Sequence, residues 1–127
     1  MGLPPLVSHI SLMSFEKLRV YQAAELLDRE VTDLISAISG HHRDADQLKR
    51  AAPSIPYNIA EAFGSEHKGQ KIYHLGIARG SADETRSILR KLAKDGALSP
   101  ASIRRPCTLA VTVAKMLTAW IERLQEE

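Results

Sequence analysis

The sequence predicts an all-α protein, an antiparallel up-down-up-down four-helix bundle, on three observations. Apolar residues recur at alternating spacings of three and four, glycine and proline punctuate the chain between these runs, and aromatic residues are only 5% of a chain rich in alanine and leucine. At 127 residues the chain suits one domain that buries its own core. Residues 1–12 hold Pro4 and Pro5 and no helical period, so they read as a mobile leader ahead of a bundle domain over residues 13–127. The leader lacks the basic start and long apolar run of a signal peptide.

Ser14 is a good N-cap for the first helix, with Glu16 in the first turn where its charge complements the helix dipole. Val20, Ala24, Leu27, Val31, Leu34 and Ile38 then form one seam, and Gly40 supplies the stop. Asp44, with Gln47 three residues on, is expected to cap a second helix that runs to about Phe63 and ends at Gly64. Pro53 and Pro56 inside it remove two amide donors and free the carbonyls of Lys49 and Ala52, which predicts a kink or a 3₁₀ segment.

A third helix is expected over about Glu66 to Asp95, because Ile72, Leu75, Ala78, Ala82, Leu89 and Leu92 share a broad face and Gly96 follows. Ser99 followed by Pro100 is an N-cap with proline at the first helical position. The fourth helix carries Leu109, Val113, Met116 and Trp120 on one seam and Ala110, Leu117, Ile121 and Leu124 beside it, with Pro106 expected to kink it or delay its start. Its apolar arc is wider than one bundle core requires, so the surplus either faces another subunit or is buried at the bundle centre.

Composition excludes several functional classes. Apolar residues at 44% and charged residues at 25% are ordinary for a globular protein, and a net charge of +2 tilts the surface basic without deciding a partner. Cys107 is alone, so no disulfide or zinc framework is expected and a reducing cytoplasm is the expected location. No stretch approaches the roughly 18 apolar residues of a membrane span.

Catalytic constellations are missing as well. His9, His41, His42, His67 and His74 include no pair spaced to bring two ligands to one metal ion; His67 and His74, two turns apart, reach the same face but not the same ion. Glu61 and Glu84 are too far apart in level to work as a carboxylate pair, and Gly76 with Gly80 lacks the lysine and strand of a phosphate-binding loop. Arg104 and Arg105 beside Cys107 are placed to lower its pKa, yet no base accompanies it. The expectation is a protein without catalytic activity, metal or cofactor.

Helix 3 carries the positive signal. Lys68, Lys71, Arg79, Arg86, Arg90 and Lys94 recur near whole numbers of turns and share a broad stripe, with Lys91 to one side. Such a stripe suits nucleic-acid phosphates, or is a solvated face balanced by Asp83, Glu84 and Asp95. The competing reading is a protein-interaction scaffold.

The stretch Ser54-Ile55-Pro56-Tyr57-Asn58-Ile59-Ala60-Glu61-Ala62-Phe63-Gly64, with Ile77-Ala78-Arg79-Gly80-Ser81-Ala82-Asp83-Glu84, is more particular than helical period demands. It resembles the 23S ribosomal RNA intervening-sequence proteins, whose pattern reads roughly S-I-P-x-N-I-A-E-G and A-x-G-S-x-x-E, and Phe15 to Ala24 resembles that family's first helix. Ala62, Ser65 and Tyr57 depart from the pattern. The resemblance implies a ring-shaped homopentamer of four-helix bundles without known catalysis. It also implies kinship with the accessory variability determinant of diversity-generating retroelements, a binder of reverse transcriptase and nucleic acid. Function inherited from a fold is analogy.

The motif residues Pro53, Pro56, Asn58, Glu61, Arg79, Gly80, Ser81 and Glu84 also admit a physical reading. If helices 2 and 3 turn near Gly64 and Ser65, Arg79 lies beside Ala52 and is placed to donate to the freed carbonyls of Lys49 and Ala52. Gly76 and Gly80 would allow a close approach of the two helices, and Asn58, Glu61, Ser81 and Glu84 form either a polar network or a solvated surface.

Overall fold

The computed structural model describes the backbone of residues 5–127 and the side chains from Glu16 onward; Met1–Pro4 of the expected leader lie outside the described residues. Four helices follow in order, α1 (Pro5–Ile35), α2 (His42–Gly64), α3 (Lys68–Lys94) and α4 (Pro100–Glu126). Each packs against its neighbour in the chain, and α4 closes the square against α1. The short connections make consecutive helices antiparallel.

The core follows the predicted seams. Val20, Ala24, Leu27 and Val31 of α1 meet Leu48, Ala52, Ile55 and Ile59 of α2, and Leu75, Ala78, Ala82, Leu89 and Leu92 of α3 complete the layer, all buried. Both seams of α4 enter this core, with Ala110, Val113, Leu117, Trp120, Ile121 and Leu124 buried and only Leu109 and Met116 half-buried. Burial within the bundle therefore uses most of the wide apolar arc of α4.

Helix ends depart from expectation in instructive ways. Helix α1 begins at Pro5, so the backbone of residues 5–12 continues the helix ahead of Ser14. At its other end it stops at Ile35, before Gly40. Ser36 Oγ donates to the Asp33 carbonyl at 2.7 Å, and the amides of Ala37 and Ile38 reach back three residues, tightening the last turn. Gly40 (φ 72°) and His41 (φ 53°) then turn the chain in the left-handed region.

Helix α2 starts directly after His41, which makes no side-chain cap, so Asp44 is not the N-cap. Asp44 sits in the first turn, where its charge still complements the dipole, and it accepts from Lys91 Nζ at 2.6 Å. No 3₁₀ segment interrupts α2 at Pro53 or Pro56, and Pro106 lies buried inside a continuous α4.

The α3–α4 turn forms as the sequence predicts. Gly96 (φ 81°) donates to Ala93 O at 3.1 Å and Ala97 to Leu92 O at 2.9 Å, a Schellman closure with Leu98 buried behind it. Ser99 Oγ then accepts from Ser102 N at 3.1 Å and caps α4, with Pro100 in its first turn.

Candidate nucleic-acid interface and the polar seam of helices 2 and 3

Beneath the distinctive motif lies a chain of hydrogen bonds between α2 and α3. Asn58 Nδ2 donates to the Ser54 carbonyl (2.8 Å) and to Ser54 Oγ (3.1 Å), and Ser81 Oγ donates to the same Ser54 Oγ at 3.0 Å. Both Nδ2 donations turn Asn58 Oδ1 toward His74, whose Nδ1 lies 3.0 Å away. An amide oxygen accepts only, so this arrangement requires the His74 proton on Nδ1. Thr85, fully buried, donates to the Ser81 carbonyl at 2.7 Å.

Asn58 and Ser81 thus join a network, with Ser54 and His74 as partners that the periodicity alone did not select. Glu61 and Glu84 are exposed and stand outside it. The surrounding core mixes small residues, Ala51, Ala52, Ala62, Ala78 and Ala82, with the larger Ile55, Ile59 and Leu75. The Ser54–Ser81 and Asn58–His74 pairs add directional specificity to that apolar packing and help define the register of the two helices.

Two motif expectations are corrected. Arg79 does not reach the carbonyls of Lys49 and Ala52: its Nη1 points across α3 to Thr118 Oγ1 on α4, at a long 3.4 Å. The observed register sets Ser81 opposite Ser54, and Arg79 falls on the α4 flank of its helix. Pro53 and Lys49 are exposed, so the solvent side of α2 accommodates the freed carbonyl. Gly76 and Gly80 do not bring two helices together either, because a Cβ built on either glycine would meet no atom within 4 Å.

The basic stripe of α3 divides into two groups. Lys68 Nζ donates to the Glu127 carbonyl at 2.7 Å, and Lys71 Nζ to the Ala62 carbonyl in the last turn of α2 at 3.0 Å. Lys91 holds Asp44 and Asp95 at 2.6 and 3.2 Å, and these two hydrogen bonds push its pKa up. These three lysines close helix ends and inter-helix pairs of their own chain.

Arg79 and Arg86 instead line a groove of about 440 Å³ between α3 and α4, together with Asp83 and with Lys115, Thr118 and Glu122 of α4. Among the described residues, none of Arg79, Arg86 and Lys115 is paired with a carboxylate. Arg90 and Lys94 lie further along α3 beside Lys91 and Asp95, around a separate depression. Lys115 was not singled out from sequence, because it is an isolated cation on a helix that reads as apolar; only the packing of α4 against α3 brings it to the arginines.

Cys107 also differs from expectation. Burial raises its thiol pKa, and the opposing lowering influence comes from Arg86 and Arg90 rather than Arg104 and Arg105. Arg105 is turned the other way, its Nε 2.9 Å from Glu30 Oε1. Among the described residues no group of three His, Cys, Asp or Glu is arranged to hold a metal ion, and no helix is long and apolar enough to cross a membrane. His41, His42 and His67 are exposed, whereas the side chain of His9 lies outside the described residues.

These features define a four-helix bundle with a polar α2/α3 seam on one flank and a cationic α3/α4 groove on another. The model of the 23S rRNA-intervening sequence protein family matches residues 16–119, and the chain belongs to that family. A solved structure, a protein of unknown function from the S23 ribosomal protein family of Bacteroides thetaiotaomicron, superposes with a TM-score of 0.78. It is 20% identical in sequence, and the match covers 84% of this chain and 98% of that one. No curated protein matches the sequence.

Proposed function

We propose that this protein is a non-enzymatic binding protein of the cytoplasm whose α3/α4 groove holds the phosphate backbone of nucleic acid. The observation that carries this reading is the convergence of Arg79, Arg86 and Lys115 on one groove without carboxylate partners among the described residues. Guanidinium groups suit phosphate because they present several donors in a fixed plane. Asp83 and Glu122 in the same groove moderate the field, so affinity depends on several grooves acting together.

Assembly into a ring-shaped homopentamer, the architecture implied by the family resemblance, would repeat the groove around one surface and raise avidity without a new contact. RNA is the nucleic acid favoured here, by analogy with the 23S rRNA-intervening sequence protein family. Backbone contacts of this kind give affinity that falls with salt and carries little sequence information.

A second reading is a protein-interaction scaffold or accessory subunit, such as one serving a reverse transcriptase. Tyr57 and Tyr73, 64% and 65% exposed, support it, since exposed tyrosines are enriched where proteins meet.

The test is retention of a structured RNA by the purified protein and by an Arg79→Glu/Arg86→Glu/Lys115→Glu variant. Loss of retention with unchanged helicity supports the groove. Equal retention by both proteins overturns it, and absence of binding by the wild type at low salt redirects the search to protein partners.

A further inference from the structure

We propose that a second groove, between α1 and α4, is a binding site for a small amphiphilic anion with a flat apolar body and one carboxylate or sulfonate group. The groove is about 410 Å³, within the size range of ligand sites. Val20, Met116, Ala119 and Trp120 supply its apolar lining.

The polar groups around it are cationic in balance. Lys17, Arg19 and Arg123 line the groove with a single carboxylate, Glu16, and that carboxylate is already engaged by Arg123 Nη1 at 3.4 Å. Lys17 and Arg19 pair with no carboxylate among the described residues. Lys17 Nζ lies 5.2 Å from the centre of the Trp120 ring, so its charge is held against the lining by a cation–π contact rather than released to solvent.

Trp120 forms the floor of the groove. It is only 3% exposed, and its indole Nε1 is buried with no hydrogen-bond partner among the described residues. Phe63 packs against the indole at a tilted 5.4 Å and covers part of the ring. The groove therefore offers an apolar slot and two cations without carboxylate partners among the described residues, and an anion with a flat apolar body answers both.

This site lies on the α1 side of α4 and shares only Ala119 with the α3/α4 groove, and its test uses no nucleic acid. Trp120 is the only tryptophan in the chain, so both its fluorescence and its indole N–H resonance report on the site without labelling. The probe is anilinonaphthalene sulfonate, with uncharged N-phenylnaphthylamine as its control, added to the full-length protein.

The expected result is saturable energy transfer from Trp120 at one probe per chain, with a shift of the indole N–H resonance as the probe's rings settle beside it. Changing Lys17→Ala and Arg19→Ala together should weaken binding roughly tenfold, equivalent to about 1.4 kcal/mol. Ala119→Phe, at an exposed position, should block the groove and abolish transfer without unfolding the bundle. Absence of saturable transfer, an unmoved indole resonance, equal binding of the uncharged control, or unchanged affinity in the double variant would each overturn the proposal.

Discussion

Replacing Asn58 with alanine removes the central link of the α2/α3 seam. Asn58 is 7% exposed and makes three contacts, to the Ser54 carbonyl at 2.8 Å, to Ser54 Oγ at 3.1 Å and to His74 Nδ1 at 3.0 Å. The bond to the Ser54 carbonyl adds to an acceptor that already serves the helix, so it contributes least. The other two, at about 1 kcal/mol each for neutral pairs, set the expected loss near 2 kcal/mol. For a domain of this size that corresponds to a fall in Tm of roughly 6–10 °C.

A double-mutant cycle isolates the inter-helix bond. Asn58→Ala and His74→Ala should be coupled by about 1 kcal/mol, whereas uncoupled positions add to within about 0.5 kcal/mol. Urea denaturation at a fixed protein concentration is the assay, since any assembly makes apparent stability concentration-dependent. A loss for Asn58→Ala below about 0.5 kcal/mol, the range of ordinary surface changes, together with simple additivity, would refute the seam as an element that helps define helix register.

Other positions yield expectations of different sign. Gly80→Ala, exposed in a helix with open space around its Cβ, should stabilise by up to about 1 kcal/mol in thermal unfolding, whereas Gly96→Ala, at φ 81°, should destabilise by about 1 kcal/mol. Burial, and next the charge of Glu25, raise the Asp28 pKa above 3.8. A raised carboxyl pKa means the folded state binds the proton more tightly, so this group's contribution to stability falls as pH rises from 3.8 through the folded value. Asp28→Asn should therefore raise Tm at neutral pH and leave it nearly unchanged near pH 3, as followed by circular dichroism. The half-buried Cys107 thiol should react with a disulfide reagent more slowly than a free cysteine at mildly alkaline pH, and Arg86→Ala with Arg90→Ala should slow it further.

The seams and the α3–α4 turn were legible because each depends on local rules. Apolar spacing assigns a core face, Gly96 permits a left-handed residue, and Ser99 with Pro100 starts a helix. Asp44 shows where such rules stop: it fits the N-cap pattern, yet its carboxylate serves Lys91 forty-seven positions along the chain. That pairing depends on the relative level of α2 and α3, which periodicity does not fix.

The same limit governed the candidate site. Helical spacing placed Lys68, Lys71, Arg86, Arg90, Lys91 and Lys94 on one helix without revealing that Lys68, Lys71 and Lys91 are held by acceptors of their own chain. It gave Arg79 the wrong neighbour for want of the true register, and it left out Lys115 and His74, whose roles exist only once α4 and α2 have packed against α3.

The most direct test of the α3/α4 groove is the affinity of the size-defined protein for a structured RNA across a salt series. The wild type is compared with Arg79→Glu/Arg86→Glu/Lys115→Glu and with a Lys68→Ala/Lys91→Ala control. Each phosphate contact contributes a slope of roughly −0.7 to −0.9 in log affinity against log salt. The account predicts that the groove variant loses binding, while the control, whose lysines are committed within the chain, keeps nearly the wild-type affinity and slope. Wild-type slope and affinity in the groove variant, with loss in the lysine control, would contradict it.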